Sequence, residues 1–327
     1  SSSSSSSTRR GSAGNSRGSV GGLPSVPGSA PEPLSTCNDG ASLTACFTIE
    51  ECLAEPRSED HRHAEKYAFV LSHSLEKPLD LPLPHLSTMK YVADRHGIDI
   101  LLMVPKDASH PLDVMQRLEL GMQGVKLIEV PWTTPPGMRY TRETNWCGRR
   151  DFLRLHMLNL TGYSAVAFYD NDVEIQGDVV PALECAARGY FLSTSGPFSP
   201  LNLGFMALQP SPSLLEAAVD FARQADFSSE EGWAGGGFLP RDTHYPGSDC
   251  GQGFFHTLLY KKTKLGTAAL KRAGVRVIPK QLDRCEWNYQ LRCPRPGFKC
   301  SSVRAHHKGG GRDCSKLGPD HLDAAEK

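Results

Sequence analysis

From Lys66 onward, short apolar runs alternate with segments of helical periodicity, and this alternation restricts the possible folds more than any other feature. Tyr67 to Leu71, Ile98 to Val104 and Val125 to Val130 read as strands, with helices between them over Leu86 to Arg95 and Leu112 to Leu120. Strand and helix in turn build βαβ units, so the expected class is α/β with a mostly parallel sheet. After a loop at 131–145, a helix is predicted over Cys147 to Leu160, followed by a strand over Ala165 to Tyr169. Further strands are predicted at Tyr190 to Thr194, Leu203 to Leu208 and Val275 to Ile278. Helices are predicted at Ser213 to Ala225 and Gln252 to Lys262, separated by a glycine-rich insertion at Trp233 to Gly237.

The 327 residues suffice for a substantial core, and 39% of them are hydrophobic. Basic and acidic residues balance at 36 each, which speaks against nucleic acid as a partner because a binder normally carries a basic face. No apolar run approaches the roughly 18 residues of a bilayer span. The chain begins with seven serines and no methionine, so an upstream leader or anchor is left open. Residues 1–36 hold thirteen Ser, six Gly and four Pro, too little apolar surface to offset ordering entropy, and read as a flexible tail or stalk. Residues 37–65 read as a cysteine-bearing capping segment, 66–314 as the globular domain and 315–327 as a C-terminal tail.

Seven of the ten cysteines lie early (Cys37, Cys46, Cys52) or late (Cys285, Cys293, Cys300, Cys314). Clustering outside the predicted core points to disulfides and a secretory compartment. No C-x-x-C pair occurs and the late spacings fit no common zinc module. The sequon Asn159-Leu160-Thr161 suits the same compartment, though so short a pattern arises readily by chance.

In open α/β sheets ligands bind beyond the carboxyl ends of strands. Asp170-Asn171-Asp172 follows the predicted strand ending at Tyr169. Two carboxylates one residue apart at a strand end can turn onto one hard cation, which takes oxygen ligands and shares them with substrate phosphates. A calcium loop fits poorly, since Ile175 stands where the sixth position needs glycine.

Four ordered segments make the chain resemble the glycogenin-like glycosyltransferases of family eight. Residues 152–163, FLRLHMLNLTGY, followed by a strand and the acid pair, resemble that family's K-L-x-x-W-x-L-T-x-Y, strand, D-x-D. Asn202-Leu203-Gly204 with the strand to Pro210-Ser211 resembles its N-S-G segment, and Gln252-Gly253-Phe254-Phe255 its D-Q-G-x-x-N helix start. His306 to Arg312, HHKGGGR, resembles H-x-x-G-x-x-K-P-W.

The resemblance implies a GT-A type, Rossmann-like mixed sheet, mostly parallel, flanked by helices. It implies a metal-dependent enzyme that transfers sugar from a UDP-sugar to a glycan, protein or small-molecule acceptor with retention of configuration, in the secretory pathway, the Golgi lumen foremost and the cytoplasm as the alternative. Asp170, Asp172 and His306 would hold Mn²⁺, His306 being preferred to His307 because it places Gly309 and Arg312 at the family's glycine and lysine. Imidazole among the ligands favours Mn²⁺ over Mg²⁺. Donor contacts would come from Leu71, Ser72, Arg154, Asn171, Gly309 and Arg312. Gln252, Asn202 and Asp249 are the catalytic candidates; the two amides are poor nucleophiles, which favours front-face attack over a covalent intermediate.

Departures cluster on the sugar side. Gly251 stands at the family's aspartate before glutamine, with Asp249 as a substitute, His256 replaces the helix asparagine, and residues 193–200 contain no acid. A catalytically silent nucleotide-sugar or glycan-binding protein on the same fold is therefore the alternative. Trp287-Asn288 loosely matches a family loop near the site, with a plain core aromatic as the other reading of Trp287.

Overall fold

The computed structural model describes residues 36–38, 43–54, 65–140, 147–238, 245–290 and 298–307. A hairpin of β1 (Thr36–Asn38) and β2 (Leu43–Ala45) and helix α1 (Ile49–Ala54) precede the alternating region. There β3 (Tyr67–Ser72), α2 (Leu86–His96), β4 (Asp99–Pro105), α3 (Val114–Met122) and β5 (Val125–Val130) follow in turn. A 3-10 helix over Arg149–Asn159 leads to β6 (Ala165–Tyr169), β7 (Val173–Ile175), α4 (Val180–Ala186), β8 (Tyr190–Thr194), β9 (Asn202–Leu208) and α5 (Pro212–Gln224). The hairpin β10 (Phe227–Ser228) and β11 (Gly232–Trp233) enters the glycine-rich insertion. Then come α6 (Gly251–Phe255), a π-helical turn over His256–Tyr260, α7 (Lys264–Arg272), β12 (Ile278–Leu282), α8 (Arg284–Trp287) and β13 (Ala305–His307).

The central sheet has seven strands in the order β12, β8, β9, β6, β3, β4, β5, and in it β9 alone runs antiparallel to its neighbours. This is the mixed, mostly parallel, helix-flanked α/β sheet the sequence predicts. Along β3 and β4, Phe69, Leu71, Ile100 and Leu102 face one core with residues of α1, α2 and α4. Ala68, Val70, Leu101 and Met103 face another with Phe152, Leu155, Phe221 and Phe254. Burial on both faces is why these strands read as apolar runs.

Local signals set the helix ends. Asp113 caps α3 in a reciprocal pair with Gln116, so the helix starts at Val114 and not at Leu112. Ser211 accepts from the Leu214 N–H ahead of α5, whose first residue is Pro212. The last strand lies later than predicted. The Val275 N–H still donates to Leu270 O at the end of α7, so the chain becomes extended only at Ile278, opposite Tyr190 of β8. The predicted helix over Gln252 to Lys262 is in fact α6 followed by the π-helical turn.

The expected disulfides are present, in a pairing that the sequence left open. The bridges are Cys37–Cys46, Cys52–Cys185 and Cys147–Cys250, so the mid-chain cysteines are partners and not isolated thiols. Cys285 and Cys300 are also disulfide-bonded, and no cysteine among the described residues is free. Cys52–Cys185 fastens α1 to α4, and Phe47 N–H donates to Gln281 O at the β12 edge. No helix among the described residues is long and apolar enough to cross a membrane.

At the end of the sheet remote from the acid pair, Asp99 gathers four chain segments. It faces Lys126 at 2.6 Å and Lys66 at 3.1 Å, and accepts from the Tyr163 hydroxyl at 2.8 Å. Although burial opposes it, these partners hold its carboxyl at about 2, below the ordinary 3.8. A depressed carboxyl contributes stability above the unfolded value that is lost as pH falls through the folded one. Asp99→Asn is therefore expected to flatten the loss of stability between about pH 4 and pH 2, measured by urea unfolding across that range. An unchanged acid limb would refute this.

Candidate metal centre

The site begins where the β6–β9 ladder ends. The Asp170 N–H donates to Gly204 O at 3.0 Å, and the Val173 N–H donates to Asp170 O at 3.0 Å, closing a tight turn that carries both carboxylates out of the sheet. Asn171 Nδ2 donates to Ser72 O at 3.2 Å, tying this turn to the end of β3. Leu71 is a buried core side chain, so of the two residues expected to contact donor there only Ser72 lies at the turn.

Beyond the turn, β7 pairs antiparallel with β13, setting Val173 opposite His307 and Glu174 opposite His306. Neighbouring side chains on a strand point to opposite faces. His307 turns to the acids, with Nε2 3.2 Å from Asp172 Oδ1, whereas His306 turns to the Tyr289 ring, 5.6 Å away between centroids. The histidine brought to the acids is His307 and not the expected His306: Asp170, Asp172 and His307 each bring one ligand atom within 4.8 Å of the others. Spacing to Gly309 and Arg312, which had selected His306, loses its force, and both residues lie outside the described ones.

The donor set is two carboxylates and one imidazole, the mixed oxygen and nitrogen set that suits a first-row divalent ion. Its back is buried and its front open, the side chains of His307, Asp170 and Asp172 being 9%, 32% and 56% exposed. Desolvation raises the Asp170 carboxyl, with Arg154 and His307 opposing. For Asp172 burial is outweighed by the His307 hydrogen bond and the carboxyl is lowered, while the same bond and the Asp170 charge raise His307 against its burial.

Arg154 lies behind Asp170, with Nη2 3.4 Å from Asp170 Oδ1. It is held by a contact with the Asp151 carboxylate, by donation to Leu203 O at 3.0 Å and by the Phe168 ring, 4.7 Å beneath it. The other Asp151 oxygen accepts from the Gly251 N–H at 2.6 Å. Asp151 escaped the sequence reading; an acid three residues before Arg154 in a helical segment was the available signal.

The three catalytic candidates are placed unevenly. Gln252 Oε1 accepts from the Leu203 N–H at 3.2 Å and its Nε2 donates to Pro246 O at 3.3 Å, so both ends serve the backbone. Asn202 Oδ1 accepts from the Gly204 N–H at 2.8 Å and from Asn288 Nδ2 at 2.9 Å. Asp249 lies beside the Cys147–Cys250 bridge and accepts from the Tyr140 hydroxyl at 3.4 Å, apart from the acid pair. Asn288, only loosely placed by sequence, sits within the cluster and contacts His307 Nδ1 at 3.0 Å.

No protein-family model matches the chain, and no curated protein matches it. Among solved structures, the galactosyltransferase LgtC in complex with donor and acceptor sugar analogues is 10% identical, with a TM-score of 0.39 over 79% of this chain and 94% of that one. The glycosyltransferase GlyE of Streptococcus pneumoniae TIGR4 is 14% identical, with a TM-score of 0.39 over 68% and 46%. The bifunctional glycosyltransferase WbbM is 10% identical, with a TM-score of 0.45 over 83% and 48%. Likeness of this degree assigns no activity.

Proposed function

We propose that this chain is a metal-dependent glycosyltransferase that uses a UDP-sugar donor and retains anomeric configuration, working in the secretory lumen, as in the Golgi. The observation that carries the reading is the convergence of Asp170, Asp172 and His307 at the carboxyl end of a central strand, where an α/β sheet binds ligands. The sequence resemblance to family eight supplies the donor class and the retention, and the disulfides support the compartment.

Asp170, Asp172 and His307 would hold the cation, for which Mn²⁺ is favoured by the imidazole. Bound there, it would neutralise charge building on the diphosphate leaving group. Arg154 supplies a fixed guanidinium beside Asp170, kept in place by Asp151 and Leu203 O. Gln252 and Asn202 act as struts that set the start of β9. Ser72 and Asn171 shape the wall between β3 and the acid turn.

A second reading, the silent nucleotide-sugar binder, is favoured by one observation: the amides of Gln252 and Asn202, expected to reach a sugar, are taken up within the protein. A panel of UDP-sugars with Mn²⁺ separates the two. Release of UDP from one donor, lost with chelator, is the expected result. Metal-dependent UDP binding with no release from any donor or acceptor would replace the enzyme with the binder, and absence of metal-dependent UDP binding would overturn both.

A further inference from the structure

We infer that Asn288 is a positioning residue that holds the His307 hydrogen on Nδ1, so that Nε2, which donates to Asp172 in the metal-free chain, is the nitrogen freed to face a cation bound at Asp170 and Asp172; this rests on the metal-centre reading above. The assignment follows from one donor that cannot be reversed. The Gly204 N–H points at the Asn202 side chain, 2.8 Å away, so the atom facing it is the carbonyl oxygen. That oxygen also lies 2.9 Å from the Asn288 side chain, which must therefore present its NH₂ there. The same NH₂ donates to Thr194 Oγ1 at 3.0 Å. With its nitrogen so committed, Asn288 turns its oxygen to His307 Nδ1 at 3.0 Å, and an oxygen acceptor requires Nδ1–H.

The ring has little room to escape this arrangement. A β-carbon at Gly204 would fall well inside contact distance of the His307 ring, so glycine at that position is what lets the ring lie against β9. His307 and Asn288 are both buried, and the His307 N–H is held by Tyr289 O at 2.9 Å. Hydrogen bonding at the remote nitrogen of a ligating imidazole fixes its orientation and raises its basicity, and losing such a partner typically weakens metal binding about 10- to 100-fold.

The test uses the full chain and Mn²⁺ alone, followed by the electron paramagnetic resonance of the unbound ion. Asn288→Leu is expected to weaken Mn²⁺ about 10- to 100-fold, whereas Asn288→Asp, which keeps an oxygen at Nδ1 but can serve Asn202 Oδ1 only as the protonated acid, recovers part of that loss. Nitrogen NMR of histidine-labelled protein loaded with Zn²⁺, a diamagnetic stand-in for Mn²⁺, and assigned with His307→Gln, is expected to show Nδ1 protonated and Nε2 on the metal in the wild type, and a mixed pattern in Asn288→Leu. An Asn288→Leu protein that binds Mn²⁺ like wild type, an Asn288→Asp protein no better than Asn288→Leu, or a Zn²⁺-loaded wild-type ring protonated at Nε2 would each overturn the inference. Should Asn288→Leu not fold, Asn288→Asp and the wild-type spectrum decide. Asp172→Ala separates the two levels: if it binds Mn²⁺ normally, the metal reading fails and takes the positioning role with it. If it loses Mn²⁺ while Asn288→Leu does not, only the positioning role fails.

Discussion

His307→Ala is expected to raise the Mn²⁺ concentration that supports UDP binding by about ten-fold or more, while His306→Ala leaves it within about two-fold. The asymmetry comes from strand geometry. β13 is extended and paired with β7, so its two histidines leave on opposite faces, one to the acids and one to Tyr289. His306 is buried, and its loss is expected to lower thermal stability by leaving space against Tyr289 without touching the cation. Calorimetric UDP titrations at a series of Mn²⁺ concentrations give both numbers. Equal effects of the two substitutions, or the reverse order, would dismiss the assignment of His307.

The same pair shows what the sequence could and could not say. The position of Asp170 and Asp172 at a strand end was legible because a strand buried on both faces must end where polarity begins, and Tyr169 to Asp170 is that border. Which histidine faces them was not, because that choice is set by the β7–β13 register, a pairing between segments some 130 residues apart. Tyr163 matched the family pattern in register, yet its hydroxyl serves Asp99 at the far end of the sheet. The cysteines announced disulfides but not their partners, because Cys52 reaches Cys185 and Cys147 reaches Cys250 through contacts made only by the tertiary fold. Asn202 and Gln252 were found as residues but not as roles. Sequence shows that an amide stands at a strand or helix start, and only the backbone around it shows whether that amide is spent on the protein.

The other large effect is expected at Gly253. A β-carbon there would collide with the carbonyl oxygen of Ser248, and that oxygen is already fixed by Trp233 Nε1 at 2.9 Å. Backbone on one side and a buried indole on the other leave no flexible end to give way, so the start of α6 must move. That shift would draw Gln252 from the Leu203 N–H and Gly251 from Asp151, and Asp151 is what braces Arg154. Gly253→Ala is therefore expected to cost about 3 kcal/mol or more, the upper end for overpacking in a closed core. In a chain of this size it should lower Tm by about 6 °C or more and weaken Mn²⁺-dependent UDP binding in whatever fraction folds. Gly121→Ala supplies the contrast, because it lies on an exposed face of α3 with open space around it and should raise helix stability by about 0.5–1 kcal/mol. Thermal melts of the two variants against wild type decide the matter, and a Gly253→Ala protein that melts with wild type would mean that α6 does not press on Ser248.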